Sequence, residues 1–96
     1  MKWWLDENDE WTFDDIVDFL KDFDTVYVGC DSKYYSHSTK FAIAIAVYRN
    51  PCVTYWYSKH RDHKMSREIP YRLWAEVEKA MAIAQEIRER LPTINI

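Results

Sequence analysis

The segment from Phe41 to Val47 constrains the fold more than any other part of this chain. Its sequence, Phe-Ala-Ile-Ala-Ile-Ala-Val, alternates large and small apolar side chains and contains no polar residue. A strand with one solvated face normally alternates apolar and polar residues, whereas a strand covered on both faces does not. The pattern therefore predicts a central strand with both faces covered, and its alanine side would let a helix pack closely.

Two further strands are expected near this one. Residues 25–31 are rich in β-branched and aromatic side chains, and the polar residues 32–40 that follow predict a turn. Asn50 and Pro51 interrupt the apolar run, and residues 53–59 then predict a third strand rich in Tyr and Trp. The short connection predicts that the strand over residues 41–47, which is the second in the chain, and the third strand form an antiparallel hairpin.

Residues 1–24 form an acidic N-terminal arm and helix, with nine acids against two bases, whereas the rest of the chain has seven acids against eleven bases. Thr12 and Asp15 have the spacing of a capping box, which predicts a helix over residues 13–22. Such an acidic face is commonly solvated, and the alternative is that it covers a cationic groove. The tryptophans of the arm either pack back on the domain or form a contact surface.

A long helix is expected between Pro70 and Pro92. Residues 93–96 then resemble the start of another strand, which a right-handed crossover would place parallel to an existing one. The 96 residues suit a single α/β domain with a mixed sheet. The apolar stripe that predicts the helix comprises Leu73, Val77, Ala80, Met81, Ala84, Ile87 and Leu91.

The bulk properties restrict the setting of the protein. Apolar residues make up 48% of the chain, too many for a disordered protein, but charges interrupt them too often for a membrane span of about 20 residues. The N-terminus lacks the pattern of a signal peptide, so we expect a cytoplasmic protein. Cys30 and Cys52 are expected to be reduced thiols rather than a disulfide.

Two carboxylates are the main candidates for a functional site. Asp31 ends the first predicted strand, and Glu76 lies about 70° from the middle of the helix stripe. Carboxylates on a strand and on a helix packed against it can share a divalent cation, whose charge offsets their repulsion. The structural alternative is that Asp31 caps a turn and Glu76 borders the buried face.

Basic residues concentrate between the third strand and the long helix. They predict a phosphate-contact patch, because each neutralised phosphate releases counterions, and a solvated connector is the equally expected alternative. Ser32 is expected to touch substrate or, more commonly for such a residue, to satisfy backbone groups. The candidate nucleic-acid contacts are Ser32, Lys33, Lys59, Arg61, Lys64, Arg67 and Arg72.

Several spaced blocks carry a resemblance to a known family. They are Val28-Gly-Cys-Asp-Ser-Lys33, the second strand, the segment from Trp56 to Arg61, and Arg72-Leu-Trp-Ala-Glu-Val-Glu78. Together they resemble the YkuK family of ribonuclease H-like proteins over roughly residues 13–96. The resemblance implies that Asp31 and Glu76 are the ligands of Mg²⁺ or Mn²⁺.

The chain departs from the family pattern at two places. Cys30 and Lys33 replace an expected Thr and Gln beside the first carboxylate. The resemblance also implies a third carboxylate in a His-x-Asp segment after the strand that begins at Thr93, so by comparison with the family we expect this chain to be a C-terminally shortened version.

These observations predict a ribonuclease H-like α/β domain with three antiparallel strands, a long helix, the start of a parallel fourth strand and an extra N-terminal helix. The predicted function is divalent-metal-dependent hydrolysis of phosphodiester bonds in nucleic acid, with Asp31 and Glu76 as the catalytic metal ligands. The alternative is a non-catalytic domain that binds nucleic acid or a protein partner. The edge of the shortened sheet would also allow homo-oligomers to form.

Overall fold

A computed structural model describes residues 1–35, 37–62 and 69–96 of the chain. Two short strands and a short helix come first, and three longer antiparallel strands and a long helix follow. They are β1 (Trp3–Asp6), β2 (Asp9–Trp11), α1 (Phe13–Leu20), β3 (Tyr27–Tyr35), β4 (Ser38–Arg49), β5 (Cys52–Asp62) and α2 (Ile69–Arg90). In these ranges no helix is long and apolar enough to cross a membrane.

The strands form one five-stranded sheet in the order β2-β1-β5-β4-β3. All of its pairings are antiparallel, and the predicted hairpin between β4 and β5 is confirmed. A parallel contact is present as an isolated bridge between Thr25 and Asn95, where the Val26 amide donates to the Asn95 carbonyl at 2.9 Å. Residues 93–96 therefore meet the sheet through this bridge and form no named strand.

The N-terminal arm is a β-hairpin, which the sequence pattern did not predict. β1 pairs with β2 through Trp3 and Trp11 and joins β5 through Trp4. The Trp3 side chain is buried in the core, and the Trp11 ring lies 5.5 Å from the Trp56 ring. The arm therefore packs back on the domain, one of the two predicted alternatives.

The capping box of α1 is confirmed. The Asp15 amide donates to Thr12 Oγ1 at 3.1 Å, and the Thr12 amide donates to Asp15 Oδ2 at 3.4 Å. These bonds satisfy amide groups that have no partner within the helix. α1 ends at Leu20, two residues earlier than predicted, and buries Ile16, Val17 and Leu20.

β3 and β4 are longer than the sequence predicted. β3 continues to Tyr35 and β4 begins at Ser38, so most of the predicted turn over residues 32–40 belongs to the sheet. Tyr34 pairs with Thr39 in this extension. Their residue types favour strands, and this preference outweighs the polar composition that predicted a turn.

The predicted buried stripe of α2 is correct only in part. Ile87 is fully buried, but Leu73, Val77 and Met81 are each more than half exposed. The face towards the sheet is set by Ile87 together with two buried residues outside the predicted stripe, Ala75 and Ile83. α2 carries apolar residues on two stripes, and periodicity alone does not decide which one meets the sheet.

The two faces of the sheet differ sharply. On β4 the side chains of Phe41, Ile43, Ile45 and Val47 are buried under the helices, whereas Ala42 is exposed and Ala44 and Ala46 are half-buried. The prediction that both faces are covered is therefore wrong for the described part of the chain. We call the uncovered side the open face. The residues of β3, β4 and β5 on this face include Tyr27, Gly29, Asp31, Lys33, Lys40, Ala42, Ala44, Ala46, Tyr55, Tyr57, Lys59 and Arg61.

Candidate nucleic-acid interface

The Asp31 side chain and Glu76 lie on opposite sides of β3. Burial alternates along the strand, with Cys30 and Ser32 partly covered and Asp31 exposed between them. Successive side chains of a strand point to opposite faces. Asp31 therefore lies on the open face, where its register neighbours are Ala42 on β4 and, beyond that, Lys59 on β5.

Glu76 is held on the helix side by a serine rather than by Asp31. The Ser32 hydroxyl donates to Glu76 Oε2 at 3.1 Å in a partly buried contact between β3 and α2. The Ser32 amide donates to Asp31 Oδ1 at 2.9 Å. Both predicted ligands thus bond to the same residue, which lies between them.

The environment on the helix side of β3 changes the pKa of the Cys30 thiol. Burial, followed by the negative charges of Glu76 and Asp31, raises the pKa of its thiol to about 11, against the opposing positive charge of Lys79. A thiol with such a pKa is protonated at neutral pH and is a poor nucleophile. Chemistry at this end of β3 would therefore depend on its carboxylates and cations.

The metal site predicted at Asp31 and Glu76 would have only two carboxylate ligands. Oxygen ligands suit Mg²⁺, which often takes one or two carboxylates and keeps several waters. However, Asp31 and Glu76 lie on opposite faces of one strand, and the described residues contain no cluster of three or more His, Cys, Asp or Glu side chains placed to hold a metal. In the described residues, Ser32 links the two carboxylates, and their sharing of a metal ion stays a prediction.

Three of the predicted phosphate-contact residues do lie together. Lys33 and Arg61 both flank Lys40 in the register of the sheet, and Lys59 lies two residues from Arg61 on the same face. They line a depression of about 470 Å³ whose lining also includes Lys40, His60 and Asp31. Cations therefore outnumber carboxylates in this depression, which we call the basic depression.

Of the other predicted contacts, Ser32 also lines the basic depression, whereas Arg72 is not in its described lining. The Ser32 hydroxyl points to α2, and Arg72 is partly buried on that helix. Lys64 and Arg67 lie outside the described residues. Most of the predicted contacts lie within residues 59–72 of the sequence, whereas the observed cluster follows the two-residue period of neighbouring strands.

Exposed tyrosines extend the same surface. Tyr27 is 60% exposed and Tyr55 is 53% exposed, and both lie beside Ala46 in the register. Tyr57 follows on β5, where Lys59 Nζ lies 5.7 Å from the centre of its ring. Sequence reasoning missed Tyr27, although its even spacing from Asp31 along one strand placed both on the same face.

A comparison with known families identifies the family of this chain. The sequence model of a family described as Ribonuclease H-like matches residues 12–95. The chain therefore belongs to the ribonuclease H-like family, which confirms the predicted resemblance to the YkuK family. No curated protein and no solved structure matches the sequence. Membership supports a nuclease-like or nucleic-acid-related domain.

Proposed function

We propose that the protein is a nucleic-acid-binding domain that contacts phosphates through the basic depression. The observation that carries this proposal is the clustering of Lys33, Lys59 and Arg61 on a sheet face that neither helix covers. Three strands of a hydrogen-bonded sheet fix the spacing of these cations. A surface that is already ordered loses less entropy when a ligand binds.

The electrostatic balance of the depression supports an anionic ligand. The chain as a whole has a net charge of −3, so a general attraction for polyanions is not expected. Locally, however, Lys33, Lys59 and Arg61 surround Asp31. Phosphate contacts by such cations release counterions and give affinity that is independent of sequence.

Neutralising substitutions test the proposal. We expect Lys59→Gln and Arg61→Gln each to weaken binding of a fluorescent 12-nucleotide strand, measured by anisotropy, and to reduce the slope of log K against log salt by about 0.7. Arg88→Gln, on the exposed side of α2, makes the same charge change away from the open face and should have little effect. Equal losses in all three variants, or no binding by the unmodified protein, would contradict the proposal.

A second candidate function is divalent-metal-dependent phosphodiester hydrolysis. The specific observation in its favour is that Asp31 and Glu76 both bond to Ser32, next to the basic depression. Both would have to hold a shared Mg²⁺ or Mn²⁺, which when bound would supply positive charge to a phosphate.

Metal titration separates this candidate from simple binding. Hydrolysis of an RNA–DNA hybrid or a single strand that requires Mg²⁺ or Mn²⁺ and is lost in both Asp31→Asn and Glu76→Gln would support it. Metal-independent binding with no cleavage would leave the binding function alone. Loss in only one variant would contradict a shared ion.

We also propose that residues 93–96 begin a parallel strand beside β3. The Thr25–Asn95 bridge and the Asn95 amide, which donates to the Asp24 carbonyl at 2.8 Å, support this. Slow hydrogen exchange of the Asn95 amide in the folded protein is the expected result, and exchange at the rate of an unstructured peptide would contradict it.

A further inference from the structure

The floor of the open face is flat because small residues occupy its centre. Ala42, Ala44 and Ala46 of β4 present only methyl groups there, between β3 and β5. Gly29 pairs with Ala44, and a Cβ added to Gly29 would meet nothing within 4 Å. A planar group can therefore approach the sheet closely along this row.

Tyrosines flank that floor on both sides. Tyr27 and Tyr55 are neighbours of Ala46 on opposite strands, and both are mostly exposed. Strands lie about 4.8 Å apart, so the two Cβ atoms are separated by roughly 10 Å. A base occupies about 3.4 Å along a stack, which leaves room for it against either ring.

β5 presents stacking and charged groups in succession. Tyr55, Tyr57, Lys59 and Arg61 point to the same face, with steps of about 6.8 Å between alternate residues. One end of this row offers aromatic rings and the other offers cations. A ligand that matches it must carry flat apolar groups and negative charges in close alternation.

We propose that the open face binds single-stranded nucleic acid, with bases stacked on Tyr55 and Tyr57 above the alanine floor and phosphates at Lys59 and Arg61. This inference rests on the proposed binding function and names its substrate class. The bases of a duplex are already stacked on one another, so a duplex would offer only its phosphates to this face. Aromatic platforms beside cations are the usual means of holding single strands.

Tyrosine substitution tests the inference. Tyr55→Ala should weaken binding of an oligo-dT 12-mer by roughly 5- to 150-fold, the loss expected for one stacked base. Tyr55→Trp should retain most of the affinity because it retains a stacking surface. Tyr71→Ala, which removes another exposed tyrosine from α2, should bind as the unmodified protein does. Binding of a 12-base-pair duplex should be unaffected by all three.

A second variant acts from the other side of the floor. Gly29→Ile should be accepted by the fold, since the space above Gly29 is open and β-branched residues suit strands. Its side chain would lift a base from the sheet and should also weaken single-strand binding at least several-fold. Thermal melting confirms that each variant is folded.

The failure of this inference differs from the failure of the proposed function. If Lys59→Gln weakens binding but Tyr55→Ala and Gly29→Ile do not, the face binds phosphates without stacking bases and the single-strand inference is wrong. Equal or tighter binding of the duplex would also refute it. If no nucleic acid binds at all, the proposed function itself fails.

Discussion

The contact between Ser32 and Glu76 yields the most quantitative prediction about the site. It joins β3 to α2 at 3.1 Å in a partly buried position. A hydrogen bond to a charged group contributes about 1.5–3 kcal/mol. Short hydrogen bonds from a hydroxyl to a carboxylate span about 2.5–2.7 Å. Because the contact here is longer, its free energy should lie below about 1.5 kcal/mol. We therefore expect a coupling free energy of about 1 kcal/mol.

A double-mutant cycle measures this coupling. Urea unfolding of the unmodified protein, Ser32→Ala, Glu76→Ala and the double variant gives four free energies of unfolding. A single domain of this size is expected to unfold in two states. With an m-value of about 1 kcal/mol/M, a coupling of that size corresponds to a non-additive midpoint shift of about 1 M urea.

The cycle has an internal control. Asp31 accepts a hydrogen bond from the backbone amide of Ser32 and not from its hydroxyl. The changes in unfolding free energy caused by Asp31→Asn and Ser32→Ala should therefore add within about 0.5 kcal/mol. Additivity of the Ser32 and Glu76 substitutions within the same limit would refute the described position of Glu76. A strong coupling between Asp31 and Glu76 would instead support the prediction that these two carboxylates lie close together.

Four other predictions concern Cys30, Thr39 and the cap of α1. Because burial and neighbouring negative charge raise the pKa of Cys30 to about 11 from 9.0, a thiol reagent at pH 8 should label exposed Cys52 much faster than Cys30 in the native protein; equal native labelling rates would be contrary evidence. The native state then keeps a proton that the unfolded state loses, so between about pH 9 and 11 the free energy of unfolding should fall, and Cys30→Ala should reduce that fall. Thr39→Val should stabilise the protein by about 1 kcal/mol in urea unfolding, since the buried Thr39 hydroxyl has no hydrogen-bond partner among the described residues; a loss of stability would reveal one. Thr12→Ala should lower the unfolding free energy by about 1 kcal/mol by removing the cap of α1, and an unchanged value would show that the cap contributes nothing.

Local signals in the sequence predicted local structure well. The capping box at Thr12 and the hairpin that follows Tyr48 depend on residues a few positions apart, and both are present. The same holds for the existence of α2, although not for its orientation. Arg72, Glu76 and Lys79 are partly buried against the rest of the molecule, with Lys79 Nζ 4.7 Å from the centre of the Phe41 ring. Long polar side chains can cover apolar surface with their stems, so a polar stripe met the sheet.

The site was harder to predict because it depends on strand parity. Asp31 and Ser32 are adjacent, so a shift of one residue decides which of them meets α2. Composition did not reveal the parity of β3, since Val28, Cys30 and Tyr34 on one side resemble Tyr27 and Gly29 on the other. The alanines of β4 raised a similar ambiguity, because small apolar residues suit either close packing or an uncovered floor.

The alanine methyl groups provide the most direct test of an interface on the open face. In a methyl NMR titration of the protein with an oligo-dT 12-mer, the account predicts progressive shifts of the Ala42, Ala44 and Ala46 methyl signals. The methyl signals of Ala82 and Ala84, on α2, should remain in place. Shifts confined to α2, or no shift in β4 at saturating oligonucleotide, would contradict a binding site on the open face.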